Sequence, residues 1–162
     1  MEPTSVVKKA TPSSVSKSSR LHSSTNDRTK PDPSIDLALL RKPLSRVATH
    51  PTLTPFRRRV YRTLLSVPHG RWTTYSALSN HLNSGPRAIG NAMKTNPFAP
   101  AVPCHRVLAT DRTLGGYKGA WNNGGEYSVE KRKLLDGEGV EFDEKNRARG
   151  DCFVDFVDMG SI

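Results

Sequence analysis

Three consecutive segments with helical periodicity, separated only by short breaks, occupy residues 54–95 and limit the folds open to this chain. The first begins at Thr54, a good N-cap. Pro55 follows at the first helical position, where a backbone N–H would have no partner within the helix, so proline is tolerated there. Four apolar residues then recur at helical spacing: Phe56, Val60, Leu64 and Val67. The run Pro68-His69-Gly70 ends the segment, so the pattern predicts an amphipathic helix.

The next two helical segments are shorter and lie close together. One helix is predicted over residues 74–82 and another over residues 86–95, with the tight turn Asn83-Ser84-Gly85 between them. The outer face of the second of these helices has basic side chains at both ends and smaller ones between them: Arg87, Ala88, Asn91 and Lys94. Two helices joined by a short turn with glycine form the outline of a helix-turn-helix, but many helical hairpins share it. The outline alone therefore leaves DNA binding open.

Beyond residue 95 the pattern changes to short extended segments. The residues after Cys104 are apolar and β-branched, as in a buried strand, and residues 110–119 are rich in glycine, as in a loop that approaches a ligand. A last helix is predicted from Ser128, as its cap, to Leu135, with Gly137 ending it. We therefore expect an α/β fold, a mainly helical, winged-helix-like domain with a helix-turn-helix and short strands. Whether residues 151–158 add an edge strand stays open.

The first 33 residues differ in composition from the rest of the chain. They are rich in Ser, Thr, Pro and Lys and have no apolar period, so they cannot bury enough surface to offset the entropy of ordering. We predict a disordered basic tail over residues 1–33, an arm or linker over 34–53, a domain over 54–145 and a C-terminal extension over 146–162. No apolar run has the length of a signal peptide or a membrane span, so we expect neither secretion nor a membrane partner.

Positive charge is concentrated in the predicted domain. The chain carries a net charge of +10, and residues 51–118 contain ten Lys or Arg against one acid, Asp111. Such a block favours a polyanionic partner such as nucleic acid, although a solvated basic surface would look the same. The two cysteines, Cys104 and Cys152, lie far apart and outside any metal-ligand spacing. We therefore expect no metal site.

Cys104 is followed directly by His105, a pair that could form a nucleophile and its base. A thiol must lose its proton before its sulfur attacks well. On a strand, consecutive side chains point to opposite faces, so His105 would need a local bend or a bridging water to act on Cys104. Because a buried structural cysteine is the commoner case, the pair alone does not establish catalysis.

Five blocks of sequence resemble one family in order and spacing. They lie between Thr54 and Phe142 and read GRWTTYSAL, PRAIGNAMKTNP, PCHRV, LGGYKG and KLLDGEGV. They are similar to the O6-alkylguanine-DNA alkyltransferases (methylated-DNA–protein-cysteine methyltransferases), and the layout resembles the short fungal members. The resemblance implies direct-reversal DNA repair without a cofactor. One alkyl group would move irreversibly from O6 of guanine, or O4 of thymine, to Cys104.

The resemblance also implies roles for the residues around Cys104. His105 would act on the thiol through a bridging water, and Glu138 would hold His105. Asn96 would brace the active-site turn, and Tyr117 would donate to the guanine ring. The carbonyls of Cys104 and Val107 and the backbone N–H of Lys118 would also contact the substrate. Three glycines would shape the loop over the pocket: Gly115, Gly116 and Gly119. Thr110 would be a further pocket or phosphate contact.

For DNA, the resemblance implies a helix-turn-helix in the minor groove of the alkylated duplex. Chemistry at O6 requires base flipping, because a stacked base buries its target atom. Arg87 would fill the space that the base leaves, and Tyr75 would press on the adjoining phosphate to rotate the nucleotide. The remaining contacts would come from the third helix: Pro86, Ala88, Gly90, Asn91 and Lys94.

The chain also departs from the family pattern. The residues before Thr54 are too few and too polar for the upstream α/β domain of many relatives, some of which bind zinc there. Residues 121–127, WNNGGEY, are longer than expected and predict an altered edge of the pocket.

The rival function is a non-enzymatic lesion sensor, an alkyltransferase-like protein that lacks the acceptor cysteine. Cys104 argues against that rival, and a generic helix-turn-helix regulator would leave PCHRV without a purpose. We expect a monomer in the nucleus, or also in the cytoplasm.

Overall fold

The computed structural model describes residues 30–121 and 125–162, so most of the predicted tail, residues 1–29, lies outside it. Within the described residues the chain is mainly helical with a small amount of sheet, which confirms the predicted fold class. The helices are α1 Leu37–Thr49, α2 Pro55–Leu64, α3 Tyr75–His81, α4 Pro86–Lys94 and α5 Glu126–Gly137. The strands are β1 Thr73–Thr74, β2 Val107–Leu108, β3 Gly116–Tyr117 and β4 Ala120–Trp121.

The predicted helix-turn-helix is present as α3 and α4. The Thr74 hydroxyl accepts from the N–H of Ala77 and begins α3, as Thr54 accepts from Arg57 and begins α2. The inward residues of the three helices form one core: Val60, Leu64, Leu78, Ile89 and Ala92. The Tyr61 hydroxyl donates to the carbonyl of Ala92 over 2.7 Å, so α2 fixes the end of α4.

The strands connect this helical unit to the rest of the domain. β1 and β2 are parallel, with Thr73 opposite Val107 and Thr74 opposite Leu108. β3 and β4 form an antiparallel hairpin in which Tyr117 faces Ala120. The β1–β2 pair therefore holds the residues that follow Cys104 beside the beginning of α3.

Helix α1 lies inside residues 34–53, the segment that the sequence predicts as an arm or linker. Its N-cap is Asp36, whose carboxylate accepts from the N–H of Ala38. Val47 is fully buried, and Leu40 and Leu44 pack against the same core. Helix α1 thus adds apolar surface to the core formed by helices α2 to α4.

The C-terminal residues 151–157 form no strand, although they run beside β1. The N–H of Phe153 donates to the carbonyl of Trp72 over 2.8 Å, and the Trp72 indole donates to the carbonyl of Arg149 over 2.8 Å. Four apolar residues of the C-terminal extension are buried in the main core, Phe153, Phe156, Val157 and Met159, whereas Val154 is exposed. The extension therefore covers the core through side chains more than through a backbone ladder.

The predicted start of the last helix was wrong, whereas Gly137 ends the helix as predicted. Helix α5 begins at Glu126 after Gly125 as N-cap, and Ser128 lies inside its first turn, with its N–H donating to the carbonyl of Gly125. Glu126 suits this position because a carboxylate is stabilised at a helix N-terminus. Gly137 is the last helical residue, and Gly139, with a φ of 81°, follows the C-cap Glu138.

Arg58 satisfies the carbonyls at the end of α1, and we expect its loss to destabilise the domain. Its guanidinium donates to the carbonyls of Val47, Ala48, His50 and Leu53. Arg58→Ala should lower the free energy of unfolding by about 2 kcal/mol, because bonds to a charged donor are lost and carbonyls stay unpaired. Urea unfolding measures this change. The matched control is Arg59→Ala, since Arg59 is exposed and its side chain makes no hydrogen bond within the described residues. An equal loss in both variants would contradict the prediction.

Candidate active site

Cys104 lies in a turn that precedes the strand predicted after it. Residues Cys104–Arg106 form a single 3₁₀ turn, closed by the N–H of Val107 donating to the carbonyl of Cys104, and β2 begins only at Val107. The strand geometry that would separate Cys104 from His105 is therefore absent. Both side chains are buried, at 3% and 2% exposure, beneath the helix-turn-helix.

A cavity of about 260 Å³ opens between α4 and the β3–β4 hairpin, and Cys104 lines it. Most of the wall consists of residues predicted as site residues: Tyr75, Arg87, Gly90, Asn91, Lys94, Cys104, Gly116, Tyr117, Lys118 and Gly119. Met93 and Ala120 complete the lining and were not predicted. The structure thus brings the predicted base-binding and DNA-binding residues together around the thiol.

His105 belongs to a buried hydrogen-bonded cluster behind this cavity. Its Nε2 lies 2.7 Å from Oε1 of Glu138. Arg106 donates to both oxygens of the same carboxylate, over 2.8 and 2.9 Å, and the N–H of Gly70 donates to Oε2 over 3.3 Å. The other ring nitrogen of His105, Nδ1, is buried and has no hydrogen-bond partner among the described residues. This leaves Nδ1 available to exchange a proton.

Burial and neighbouring charges set opposite protonation states at Glu138 and Cys104. Burial opposes the ionised form of Glu138, but hydrogen bonds from His105 and Arg106 and the Arg106 charge outweigh it and lower the pKa to about 2. Burial raises the pKa of the Cys104 thiol, although a hydrogen bond with Asn96 and the charges of Lys131 and Lys118 oppose the increase. The resting site therefore contains a carboxylate and a neutral thiol that needs a base.

Asn96 and two tyrosines shape the site around Cys104. The Asn96 amide donates to the carbonyl of Val102 over 3.0 Å, and its oxygen accepts from the N–H of Phe98 over 3.0 Å, so it links the end of α4 to the active-site turn. The Tyr75 hydroxyl donates to the carbonyl of Gly116 over 3.2 Å. The Tyr117 hydroxyl is buried without a partner among the described residues, and burial raises its pKa. It can therefore donate to a molecule in the cavity.

Lys131 is a component of the site that the sequence analysis missed. It is fully buried on α5, and its ammonium donates to the carbonyls of Val107, over 2.7 Å, Gly116, over 3.0 Å, and Leu114. Burial lowers its pKa to about 7. The one sequence signal was position, since Lys131 lies four residues before the buried Leu135 on the inner stripe of α5.

The remaining predicted residues lie around the cavity without lining it. His105, Glu138 and Asn96 are behind the thiol, and Gly115 lies below the hairpin with a φ of 64°. The Val107 carbonyl already accepts from Lys131, so a guanine amine would share it. Three others are farther out: Thr110 lines a separate cavity beside α3, Ala88 faces a groove against α2, and Pro86 is exposed at the start of α4.

Two kinds of feature are absent from residues 30–121 and 125–162. No three His, Cys, Asp or Glu side chains there come close enough to hold a metal ion. In the same part of the chain, no helix combines the length and the apolar character needed to cross a membrane.

The fold and the site define a helix-turn-helix domain with a buried cysteine, paired with a histidine–carboxylate cluster, next to the second helix. A family model described as the DNA-binding domain of 6-O-methylguanine DNA methyltransferase matches residues 55–140. The chain belongs to this family.

The similar proteins that are curated or solved carry related names. The chain is 46% identical over 92 residues to a methylated-DNA–protein-cysteine methyltransferase of Thermococcus sibiricus, covering 54% of this chain and 46% of that protein. It is 38% identical over 97 residues to the protein of that name in Candida glabrata, covering 59% and 44%. A crystal structure of O6-methylguanine-DNA methyltransferase from Pyrococcus kodakaraensis is 45% identical, with a TM-score of 0.48, covering 54% of this chain and 48% of that one. The chain spans about half the length of the curated relatives it matches.

Proposed function

We propose that this protein repairs alkylated DNA directly by moving a methyl or somewhat larger alkyl group from O6 of guanine onto Cys104. The observation that carries the proposal is the buried Cys104 thiol in the wall of the cavity beside α4, backed by the 2.7 Å contact between His105 and Glu138. Family membership and the names of the similar proteins point to the same activity.

The transfer is a single displacement at carbon. The Cys104 sulfur forms a bond to the alkyl carbon, the bond from that carbon to O6 breaks, and guanine leaves with negative charge at O6. The thiol proton passes to His105 through a bridging water. The departing guanine anion takes one proton from water at its ring, and His105 then releases its proton to solvent, so the overall proton count is unchanged. Because the product is a thioether with no route back to the thiol, each molecule reacts once.

The cluster behind Cys104 supports this proton transfer. The thiol is neutral at rest because burial raises its pKa, so a base must act as the sulfur attacks. His105 has one nitrogen bonded to the Glu138 carboxylate, which stabilises the imidazolium that forms, and the other nitrogen unpaired in the described residues. Tyr117 would donate to the base and the backbone N–H of Lys118 to O6, where negative charge develops.

The target base would reach the cavity by leaving a DNA duplex. Helix α4 presents an exposed face that includes Arg87, Asn91 and Lys94, and the same three residues line the cavity. With α4 in the minor groove, Arg87 would fill the gap in the stack and Tyr75 would guide the phosphate, as base flipping requires. We propose that the protein acts on the duplex as a monomer.

Mass spectrometry after mixing the protein with an oligonucleotide duplex that contains one O6-methylguanine tests the function. We expect the peptide that contains Cys104 to gain one methyl group and the gain to stop at one per protein. Cys104→Ala should gain none. Binding of the lesion without any change in mass would overturn the proposal and identify the protein as a lesion sensor.

The second cysteine provides a matched control in the same experiment. Cys152 is a free, half-buried thiol outside the cavity. Cys152→Ala should take up the methyl group at the wild-type rate, because only Cys104 lies against the pocket. Methylation of Cys152 in the wild type would indicate non-specific alkylation and contradict the assignment.

A further inference from the structure

The edge of the alkyl pocket is a two-residue turn with an unusual residue in it. Lys118 and Gly119 connect β3 to β4, and both have positive φ, 48° and 87°. Hairpin turns of this kind favour Asn, Asp or Gly at the first central position, because other residues are strained there. Because a lysine is strained at this position, contacts of its side chain must offset the strain. We call residues 115–119 the pocket lip.

The Lys118 side chain ties the pocket lip to helix α5. Its ammonium lies 2.7 and 2.8 Å from the two oxygens of Glu130. The same ammonium lies 5.4 Å from the centre of the Tyr117 ring and 5.5 Å from that of Tyr127, at cation–π distance from both. Tyr127 lies in the first turn of α5, so this helix contributes both Glu130 and Tyr127 to the anchor.

The opposite side of the lip touches α4. A Cβ on Gly119 would come within 3.1 Å of the Lys94 side chain, so the lip and α4 are already in close contact across the pocket mouth. Lys94, Lys118 and Gly119 all line the cavity. The position of the lip therefore sets the width of the opening through which an alkyl group approaches Cys104.

We propose that the Lys118–Glu130 ion pair determines which alkyl groups the site accepts, by anchoring the pocket lip to α5 in its position beside α4 and so disfavouring groups larger than methyl. This inference rests on the proposed function. Glu130 acts through Lys118 and is a positioning residue, since it lines no part of the cavity. Loss of the ion pair would let the lip move outward and give room to a bulky group, whereas the transfer rate for a methyl group would increase little.

Single-turnover transfer from two DNA duplexes, one with O6-methylguanine and one with O6-benzylguanine, tests the inference. The ratio of the benzyl rate to the methyl rate removes any change in DNA affinity. Glu130→Gln should raise this ratio about fivefold, the effect that an ion pair of this exposure can have. Lys118→Asn should raise it similarly and keep the fold, because asparagine tolerates positive φ.

Glu126→Gln is the matched control, because Glu126 lies one turn away on the same helix and makes no ion pair within the described residues. Its ratio should equal the wild-type value. A ratio in Glu130→Gln that does not exceed the control overturns the inference and leaves the proposed function intact. A wild-type protein that takes up neither alkyl group overturns the proposed function, and this inference with it.

Discussion

Replacing Glu138 by Gln should slow methyl transfer to Cys104 about 100-fold, the lower part of the range for loss of general-base catalysis. The amide would keep the shape of the side chain but could not stabilise a His105 imidazolium, and it would leave Arg106 without its anion. Single-turnover transfer from a methylated duplex measures the rate. We also expect unfolding to become easier by roughly 3 kcal/mol, because breaking a buried ion pair leaves a charge unpaired.

Asp136→Asn is the control for this variant. Asp136 is on the last turn of α5, and among the described residues its carboxylate pairs only with Arg132, at the surface. Its loss should change the free energy of unfolding by less than about 0.5 kcal/mol and leave the rate unchanged. If Glu138→Gln transferred methyl groups as fast as Asp136→Asn, the role of Glu138 in the proposed proton transfer would be wrong.

The Glu138 carboxylate should also make the free energy of unfolding depend on pH in acid. The pKa of Glu138 is lowered from 4.5 to about 2 in the folded protein, so the unfolded chain binds the proton more readily. The stabilisation is therefore full above pH 4.5 and is lost as the pH falls toward 2, a contribution of roughly 3 kcal/mol. Plots of unfolding free energy against pH between 5 and 3 should be steeper for the wild type than for Glu138→Gln. Parallel plots would contradict the assigned pKa.

Lys131→Met should lower the free energy of unfolding by about 3 kcal/mol, because three carbonyls inside the domain lose their hydrogen-bond donor and each unpaired group costs about 1 kcal/mol or more. Urea unfolding measures the change. Lys133→Met is the control, since Lys133 is exposed on the same helix and makes no ion pair in the described part of the chain. Equal stability of the two variants would show that the bonds of Lys131 do not hold the pocket segments together.

The Lys131 variant should also change the reactivity and the pH response of the protein. The Lys131 charge lowers the pKa of Cys104, so without it iodoacetamide should react more slowly with that thiol. In the wild type, burial lowers the pKa of Lys131 from 10.5 to about 7. The unfolded chain then binds more protons between these values, so stability should rise with pH from about 7 to 10.5. Lys131→Met should lack this rise.

Local signals in the sequence were sufficient for the helix-turn-helix and for the reactive motif. The caps Thr54 and Thr74 bond to N–H groups three residues away, and the apolar spacing of α2 to α4 follows from the helical period. Ser128 shows the limit of this reasoning, because a residue suited to a cap lies inside α5, where the helix begins at Glu126.

Contacts between distant parts of the chain decided the rest. The sequence does not distinguish a basic helical side chain that faces water from one that donates to buried carbonyls. Only the packed structure shows that Arg58 bonds the carbonyls at the end of α1 and that Lys131 lies beneath the pocket. Glu138 could be named from its motif, but its two bonds to Arg106 and its contact with Gly70 depend on the fold. The sequence by itself determined helices α2 to α4 and the cysteine motif, because periodicity and capping are local. The tertiary structure decided the turn at Cys104, the cavity and the charges around it, because burial is a property of segments far apart in the chain.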